Sequence, residues 1–556
     1  MLRILLLCFV YFNVLFANPT IDDIQKIREQ NGRILLQEEN RVKFEKNSEQ
    51  NPMIKINPNY YEVDQNITST QNCFPVNSIE IHDNEKLSDE DLLYAYSRYE
   101  NQCLNQESIL NLLNEINNAY IKKGYITTKA YLKEQDLSTK ILKVHVQEGK
   151  LENILVNDKN STETILTFPF LKGNALNLRD IEMGLENFNR LYTTTTTLDL
   201  LEGTKAGYSI INVHKEQDKL YFVTLTANNH GSQSTGKETG DVKVYVENIF
   251  NLNSQFTFGL SGTLRQLEEK RTIGRSFNFT VPFGYFLFSA GYREFLYRST
   301  IKGENANYVS SGSNSTYSYG ADYVFLRDEI SIVKLNLGLD IKQNLNFIAN
   351  QYIQTSSNKL SVLTVGVSGS TTLKESSLSG GFSLKRGLTL FDPLLDSDDL
   401  HKKAQYTAYT LNLAVNTNID ILEHSFSLSN AVYAQYSDDK LYSTELFSIG
   451  GLYTVRGFEH MGYAGEIGAY MRNDLSYLIY QEFFGVNMAI SPFVAYDLGF
   501  VEYDANIYKY MVGGAVGLKL QTRYVSFDLG LSFPLYAYDP VAEEETIFSF
   551  SATFNY

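Results

Sequence analysis

The chain has 556 residues, with 48 basic and 64 acidic side chains and a formal net charge of −16. That balance excludes a general nucleic-acid binder, which presents a basic face. Tyrosine (39), phenylalanine (34) and glycine (36) are abundant while proline (10) is scarce and tryptophan absent, a mixture that suits many strands rather than a helical enzyme.

Residues 1–17 read as an export signal peptide. Arg3 supplies a short positive region, Ile4 to Phe16 an apolar core, and Ala17 a small residue at the cleavage point. Cys8 lacks the small residues ahead of it that a lipoprotein site needs. Cys73 and Cys103 then remain, and in an exported protein a lone pair bridges more often than it stays free. The alternative is two inert buried thiols. A bridge closing about 30 residues is worth on the order of 3–4 kcal/mol in the chain-entropy treatment. No later stretch offers 18 consecutive apolar residues, so a membrane crossing here requires a closed barrel.

Residues 18–50 scatter Ile21, Ile24, Ile27, Ile34, Leu35, Val42 and Phe44 among charges, a broken amphipathic helix pattern. Such a helix is either solvated or docked in a polar cavity. Residues 51–70 contain two Asn-Pro steps and read as a linker. Over 71–150 the order is strand, helix, helix, strand, strand. Val76 to Ile81 reads as one strand, Ser88-x-x-Asp91 as a cap-like box, and Ile109, Leu112, Leu113, Ile116, Tyr120 and Ile121 as the apolar face of a second helix. The same β-α-α-β-β order recurs over 151–212, which makes an internal repeat.

Residues 213–556 alternate. Val333, Leu335, Leu337, Leu339 and Ile341 interleave with Lys334, Asn336, Gly338 and Asp340, and Val525, Phe527, Leu529, Leu531 and Phe533 with Ser526, Asp528, Gly530 and Ser532. One apolar and one polar face in roughly ten-residue segments is the pattern of an outer-membrane barrel. A soluble sandwich with its apolar faces inward is the alternative. The length accommodates about 16 strands of about 9–11 spanning residues with their connections. The last strand places Phe548, Phe550, Ala552, Phe554 and Tyr556 on one face.

Within GGLYTVRGFEHMG, residues 450–462, Arg456 sits in a glycine-punctuated turn. On the segment 491–503, Val494, Tyr496, Leu498 and Phe500 alternate with Phe493, Ala495, Asp497 and Gly499, so Asp497 faces the lumen if the first set faces lipid. Two readings follow. Arg456 folds inward and pairs with Asp497, or it lies on a surface turn and meets water.

The tetrapeptide Val455-Arg456-Gly457-Phe458, with Asp497 and Gly499 on a wall strand, resembles the loop tip and its partner segment in a superfamily of outer-membrane assembly and secretion barrels. Within it the chain resembles the two-partner secretion transporters, the hemolysin secretion/activation proteins of ShlB/FhaC/HecB type. Cys73-Phe74, Cys103-Leu104, Gly124 to Thr128, Gln135 to Ser138 and Glu148-Gly149 carry that likeness, with 178–191, Gly231-Ser232 and Ser234 to Gly236. The resemblance implies a mainly β protein: an N-terminal plug helix over 18–50, POTRA domains over 71–150 and 151–212, and an antiparallel transmembrane barrel over 213–556. It implies that Phe550, Phe554 and Tyr556 form the terminal signal read by the barrel-assembly machinery. The implied partners are outer-membrane lipid and a large secreted exoprotein of hemolysin or adhesin type, captured by its N-terminal secretion domain. The barrel is expected to act as a monomer, without cofactor or nucleic acid.

Catalysis finds little support. The seven histidines, His82, His145, His214, His230, His401, His424 and His460, show no metal-ligand spacing, and no nucleophile elbow or phosphate loop is present. Glu543-Glu544-Glu545 reads as a solvated run. A barrel-assembly factor of the same superfamily would share the loop motif but usually carries more repeats. A passive porin would leave 73–212 without a purpose.

Overall fold

The N-terminal helix spans Ile21–Ser48 without interruption. The structure, a computed structural model, describes residues 21–48, 54–64, 73–168, 172–265, 269–302, 307–394, 396, 402–421, 423–483, 485–504, 506–539 and 544–556. The signal peptide read over 1–17 lies outside them. The helix looks broken in sequence because it is buried on several sides among polar walls, so a single apolar stripe is not required. Ile27 packs against Ile301, Tyr308 and Ile348, and Ile34 and Leu35 pack beside Phe295 and Tyr297, all on barrel strands. Asn31 Oδ1 accepts from Ser310 Oγ at 2.8 Å. The helix therefore lies in the barrel lumen.

The first small domain corrects one strand. The segment expected as a single strand from Val76 to Ile81 changes partner at Asn77, whose N–H donates to Lys140 C=O at 2.8 Å. Phe74–Val76 pairs antiparallel with Gln102–Leu104 beside the Cys73–Cys103 disulfide, whereas Ser78–His82 pairs in parallel with Ile141–Gln147. Gln102–Leu104 is three residues long, too short to announce itself by alternation. The helices Asp89–Tyr96 and Gln106–Lys122 cover the sheet through Leu92, Leu112, Ile116 and Tyr120. Ser88 caps the first by accepting from Asp91 N–H at 3.2 Å.

The second domain repeats the arrangement with strands Lys150–Val156, Thr194–Glu202 and Tyr208–Gln217 and helix Leu178–Asn189. The division expected at 212/213 is corrected here. It falls inside Tyr208–Gln217, whose Val213 to Gln217 still pair with the neighbouring strand through Thr194 to Leu198. Sequence alternation continues unbroken across that point, which hides the boundary.

The rest of the described chain closes into a 16-strand antiparallel barrel, with the first strand, Tyr221–Asn228, pairing with the last, Ile547–Asn555. Leu335, Leu337, Val494, Tyr496, Leu529 and Leu531 are exposed on the outer face. Lys342, Asn344 and Asp497 turn inward and are shielded from solvent. Hydrocarbon outside and polar groups inside is the pattern that lipid demands. One irregularity matters below. Val512 opposes Tyr536 while Gly513 opposes Pro534, so Leu535 is an extra residue in its strand.

Candidate functional site inside the barrel

The loop 437–467 joins strands His424–Tyr436 and Gly468–Tyr477 and turns back into the lumen. A short hairpin, Phe447–Ile449 with Tyr463–Gly465, stiffens its stem. Gly450 and Gly451 adopt φ of +98° and +109°, conformations that L side chains rarely take, and these sharpen the turn toward the tip. At the tip Arg456 is 5 % exposed and Asp497, on strand Val486–Asp504, is 0 % exposed. Arg456 Nε donates to Asp497 Oδ2 and Nη2 to Asp497 Oδ1, both at 2.6 Å, and the Arg456 backbone N–H adds a third bond at 3.1 Å. Nη2 also donates to Asp474 Oδ1 at 2.5 Å. Of the two sequence readings, the geometry is the inward one. A guanidinium fork on a carboxylate fixes direction as well as charge, and removing either partner would strand a buried ion.

Glycines let the loop lie this close. A Cβ on Gly513 would stand 1.7 Å from Arg456 C=O, and one on Gly499 would stand 2.9 Å from Val455 Cγ2. Gly457 has φ +96°, and its Cβ would meet the backbone of Phe533 at 2.4 Å. Val455 and Phe458 bury with Ile449, Tyr463, Val501, Met511 and Ala537 in an apolar cluster between loop and wall. Glu544 corrects the expectation of a solvated acidic run. Its carboxylate accepts from Glu459 N–H at 2.9 Å and His460 N–H at 2.8 Å, and also from Met461 N–H. Loop amides without strand partners need an acceptor, and this carboxylate supplies it.

The N-terminal helix touches the same loop. Arg33 Nη1 donates to His460 C=O at 2.8 Å, and Asn40 Nδ2 to Ser448 Oγ at 2.9 Å. Phe44 lies tilted against Tyr453, ring centroids 5.6 Å apart, and the Arg472 guanidinium lies 5.1 Å from the Phe44 ring. Arg472 also donates to Leu452 C=O at 2.9 Å. Lys342 on the wall reaches Glu445 of the loop at 2.7 Å and Glu39 of the helix at 3.7 Å.

Sequence reasoning singled out Arg456 and Asp497 and missed Asp474, Arg472, Gly513 and Glu544. Arg472 and Asp474 were findable, since both share one face of a short alternating segment and Arg472 stands opposite Asp497 in register. Glu544 carried no signal, because a loop carboxylate has no period. At the C-terminus, Phe554 and Tyr556 are exposed on the outer face and Phe550 is half-buried. Tyr556 and Val223 exchange two backbone bonds at 2.9 and 3.0 Å. Among the described residues, no three His, Cys, Asp or Glu side chains converge as a metal site.

Residues 207–520 match the family model for the haemolysin secretion/activation protein ShlB/FhaC/HecB, more than half of the chain. The chain belongs to that family. Residues 74–149 match a POTRA domain of ShlB type and 150–201 a further POTRA domain. The outer membrane transporter CdiB of Dickeya dadantii (strain 3937) is 28% identical over 468 residues, 83% of each chain. The hemolysin transporter protein ShlB of Serratia marcescens is 27% identical over 463 residues, 83% of this chain and 82% of that one. The solved structure of CdiB from Escherichia coli superposes with a TM-score of 0.83 at 25% identity, covering 97% of this chain and all of the other.

In this family member the second POTRA domain is seated on the periplasmic rim of an outer-membrane barrel. Arg190 donates to Thr280 Oγ1 and to Asn253 C=O, each at 2.6 Å, and Asn187 Nδ2 to Gly284 C=O at 2.9 Å. Arg327 forks onto Glu186 at 2.7 and 2.9 Å. Asp180 accepts from the Tyr285 hydroxyl, and burial pushes its carboxyl above the usual range despite that bond.

Proposed function

We infer that this protein captures a secreted partner in the periplasm and passes it, unfolded, outward through its own barrel. It belongs to a family of two-partner secretion transporters of the outer membrane, and translocation rather than catalysis is the function. The observation that carries the mechanism is a lumen filled by the chain's own helix and pinned loop, above two POTRA domains. A helix held by separable polar contacts and small apolar clusters is a stopper that can leave, and the loop stays to line the path. The POTRA domains receive the N-terminal secretion domain of a large exoprotein, with strand addition at a sheet edge as one means of holding an extended chain. The periplasm supplies no nucleotide, so folding of the exported chain outside biases the direction. Lipid surrounds one barrel, which works as a monomer. The barrel-assembly machinery recognises its terminal Phe550, Phe554 and Tyr556, and no cofactor takes part. The hemolysin transporter among the relatives supports a cytolysin of hemolysin type as the cargo class.

The test compares secreted and outer-membrane proteomes with and without the gene. Loss of one or two large exoproteins, with other barrels unchanged, is the expected result. A general fall in outer-membrane barrels would instead place the protein among assembly factors.

A further inference from the structure

Residues 54–64 are neither helix nor strand, yet they are held along most of their length. Ile54 N–H donates to Glu186 Oε1 at 2.7 Å and Ile56 N–H to Glu182 Oε1 at 2.8 Å. These carboxylates lie one turn apart on one face of Leu178–Asn189. The Ile54 and Ile56 side chains pack onto the apolar core of the second domain while Lys55 and Asn57 are exposed, the period of two of an extended chain. Arg327 Nη2 donates to Ile54 C=O at 2.9 Å.

The first domain grips the next stretch. Tyr61 N–H donates to Asn118 Oδ1 at 2.8 Å, and Asn118 Nδ2 returns a bond to Tyr61 C=O at 2.9 Å. Asn114 Nδ2 donates to Glu62 C=O at 3.0 Å, and Asp64 N–H to Asn111 Oδ1 at 3.4 Å. Asn111, Asn114 and Asn118 follow i, i+3, i+7 spacing, which makes a stripe on Gln106–Lys122.

All of these hydrogen bonds end on the linker's main chain. Among its side chains, Ile54 and Ile56 supply branched apolar groups at alternate positions, and Lys55 makes an exposed pair with Glu329 at 2.8 Å. A surface that reads backbone groups and two apolar sockets is indifferent to most of the sequence it holds. Any extended segment with apolar residues two apart presents the same groups.

We propose that the linker is an intramolecular stand-in for the exported chain, occupying a receptor built from the Asn111–Asn114–Asn118 stripe and the Glu182–Glu186 face. The proposal rests on the translocator reading and names the surface that holds the cargo. Its occupant after displacement is an extended segment of the exoprotein with apolar side chains at alternate positions. Displacement also frees the tether of the plug helix, which ends at Ser48, only a few residues before Ile54. Cargo docking and helix release thus favour each other, as linked equilibria must.

The test uses the full-length protein in detergent micelles, with a fluorescent peptide of residues 53–64 as probe. In the wild-type protein the tethered linker outcompetes the probe, because a short tether gives an effective concentration on the order of millimolar. Ile54→Asn with Ile56→Asn releases the linker and leaves the receptor intact, and probe affinity is expected to rise on the order of ten-fold. Adding Asn114→Ala and Asn118→Ala, half-exposed positions, is expected to remove that gain. Equal probe binding by wild-type and released forms, or none by the released form, overturns the proposal. The secretion domain of the exoprotein that depends on the gene is then added to the released form, and displacement of the probe is expected. Binding of that domain with the probe left in place overturns the proposal while the translocator reading stands. If no exoprotein depends on the gene, both fall.

Discussion

The loop and the N-terminal helix occupy the same lumen and are held in opposite ways. The loop's Arg456 sits in a buried fork with Asp497, touches the wall through glycines, and closes over an apolar cluster. The helix answers many of its own charges. Arg41 pairs with Glu38 at 2.7 Å and also with Glu45, and its wall contacts include the half-exposed Lys243–Glu45 pair at 3.1 Å. Withdrawing the loop would strand buried ions. Withdrawing the helix leaves Arg41 still paired along the helix with Glu38 and Glu45. A guanidinium forked onto a fully buried carboxylate, rather than the number of contacts, marks the loop as the fixed part.

The harshest way to break this contrast is Arg456→Ala, which leaves Asp497 buried without its fork. The expected cost is about 3–5 kcal/mol in loop docking. Secretion is expected to be lost while the barrel still reaches the outer membrane, as read by folded-barrel migration on gels. Normal secretion would sink the pinned-loop account. Gly513→Ala tests the same docking by sterics, since its Cβ needs the space taken by Arg456 C=O. It should lower secretion substantially while leaving barrel assembly intact. Lys243→Ala probes the other side. A half-exposed pair is worth about 0.2–1 kcal/mol, so helix exit should become slightly more frequent, visible as more open events in planar bilayers, with secretion preserved.

The smallest effect lies in the first POTRA domain. Asp136 accepts from Ser138 N–H and Oγ–H, and the backbone bond leads in holding its carboxyl below the usual range. A depressed carboxylate contributes stability above its unfolded pKa and loses it as pH falls through the folded one. Hydrogen exchange around Leu137–Thr139, corrected for intrinsic rates, should therefore accelerate on acidification below the usual carboxylate range. Asp136→Asn should abolish that dependence.

The barrel was legible in sequence because lipid outside and water inside write a strict two-residue period into every spanning strand. Arg456 and Asp497 were legible as a charge in a glycine turn and a carboxylate on a lumen face, but two geometries remained open until the wall and loop were placed together. The docking glycines were not legible as such. Gly513 looks like any strand glycine until Arg456 C=O is brought against it. Glu544 and the Asn111–Asn114–Asn118 stripe depend on contacts between segments far apart in the chain, which no local pattern reports. The position of the plug helix was hidden for a related reason, because its neighbours are polar walls.

The extra residue at Leu535 has a consequence for how this gene can vary. Before it, Leu529 and Leu531 face outward, and after it Tyr536 and Tyr538 do. The strand thus carries a two-letter message whose phase changes once, and the change delivers Ala537 to the loop cluster and Asp539 to Tyr463 and Lys509. Loss of the single codon for Leu535 would straighten the strand and leave Pro534 opposite Gly513 and Tyr536 opposite Val512. Every downstream side chain would keep both its identity and its face, so the bulge is a spare letter that this strand can lose without respelling the rest.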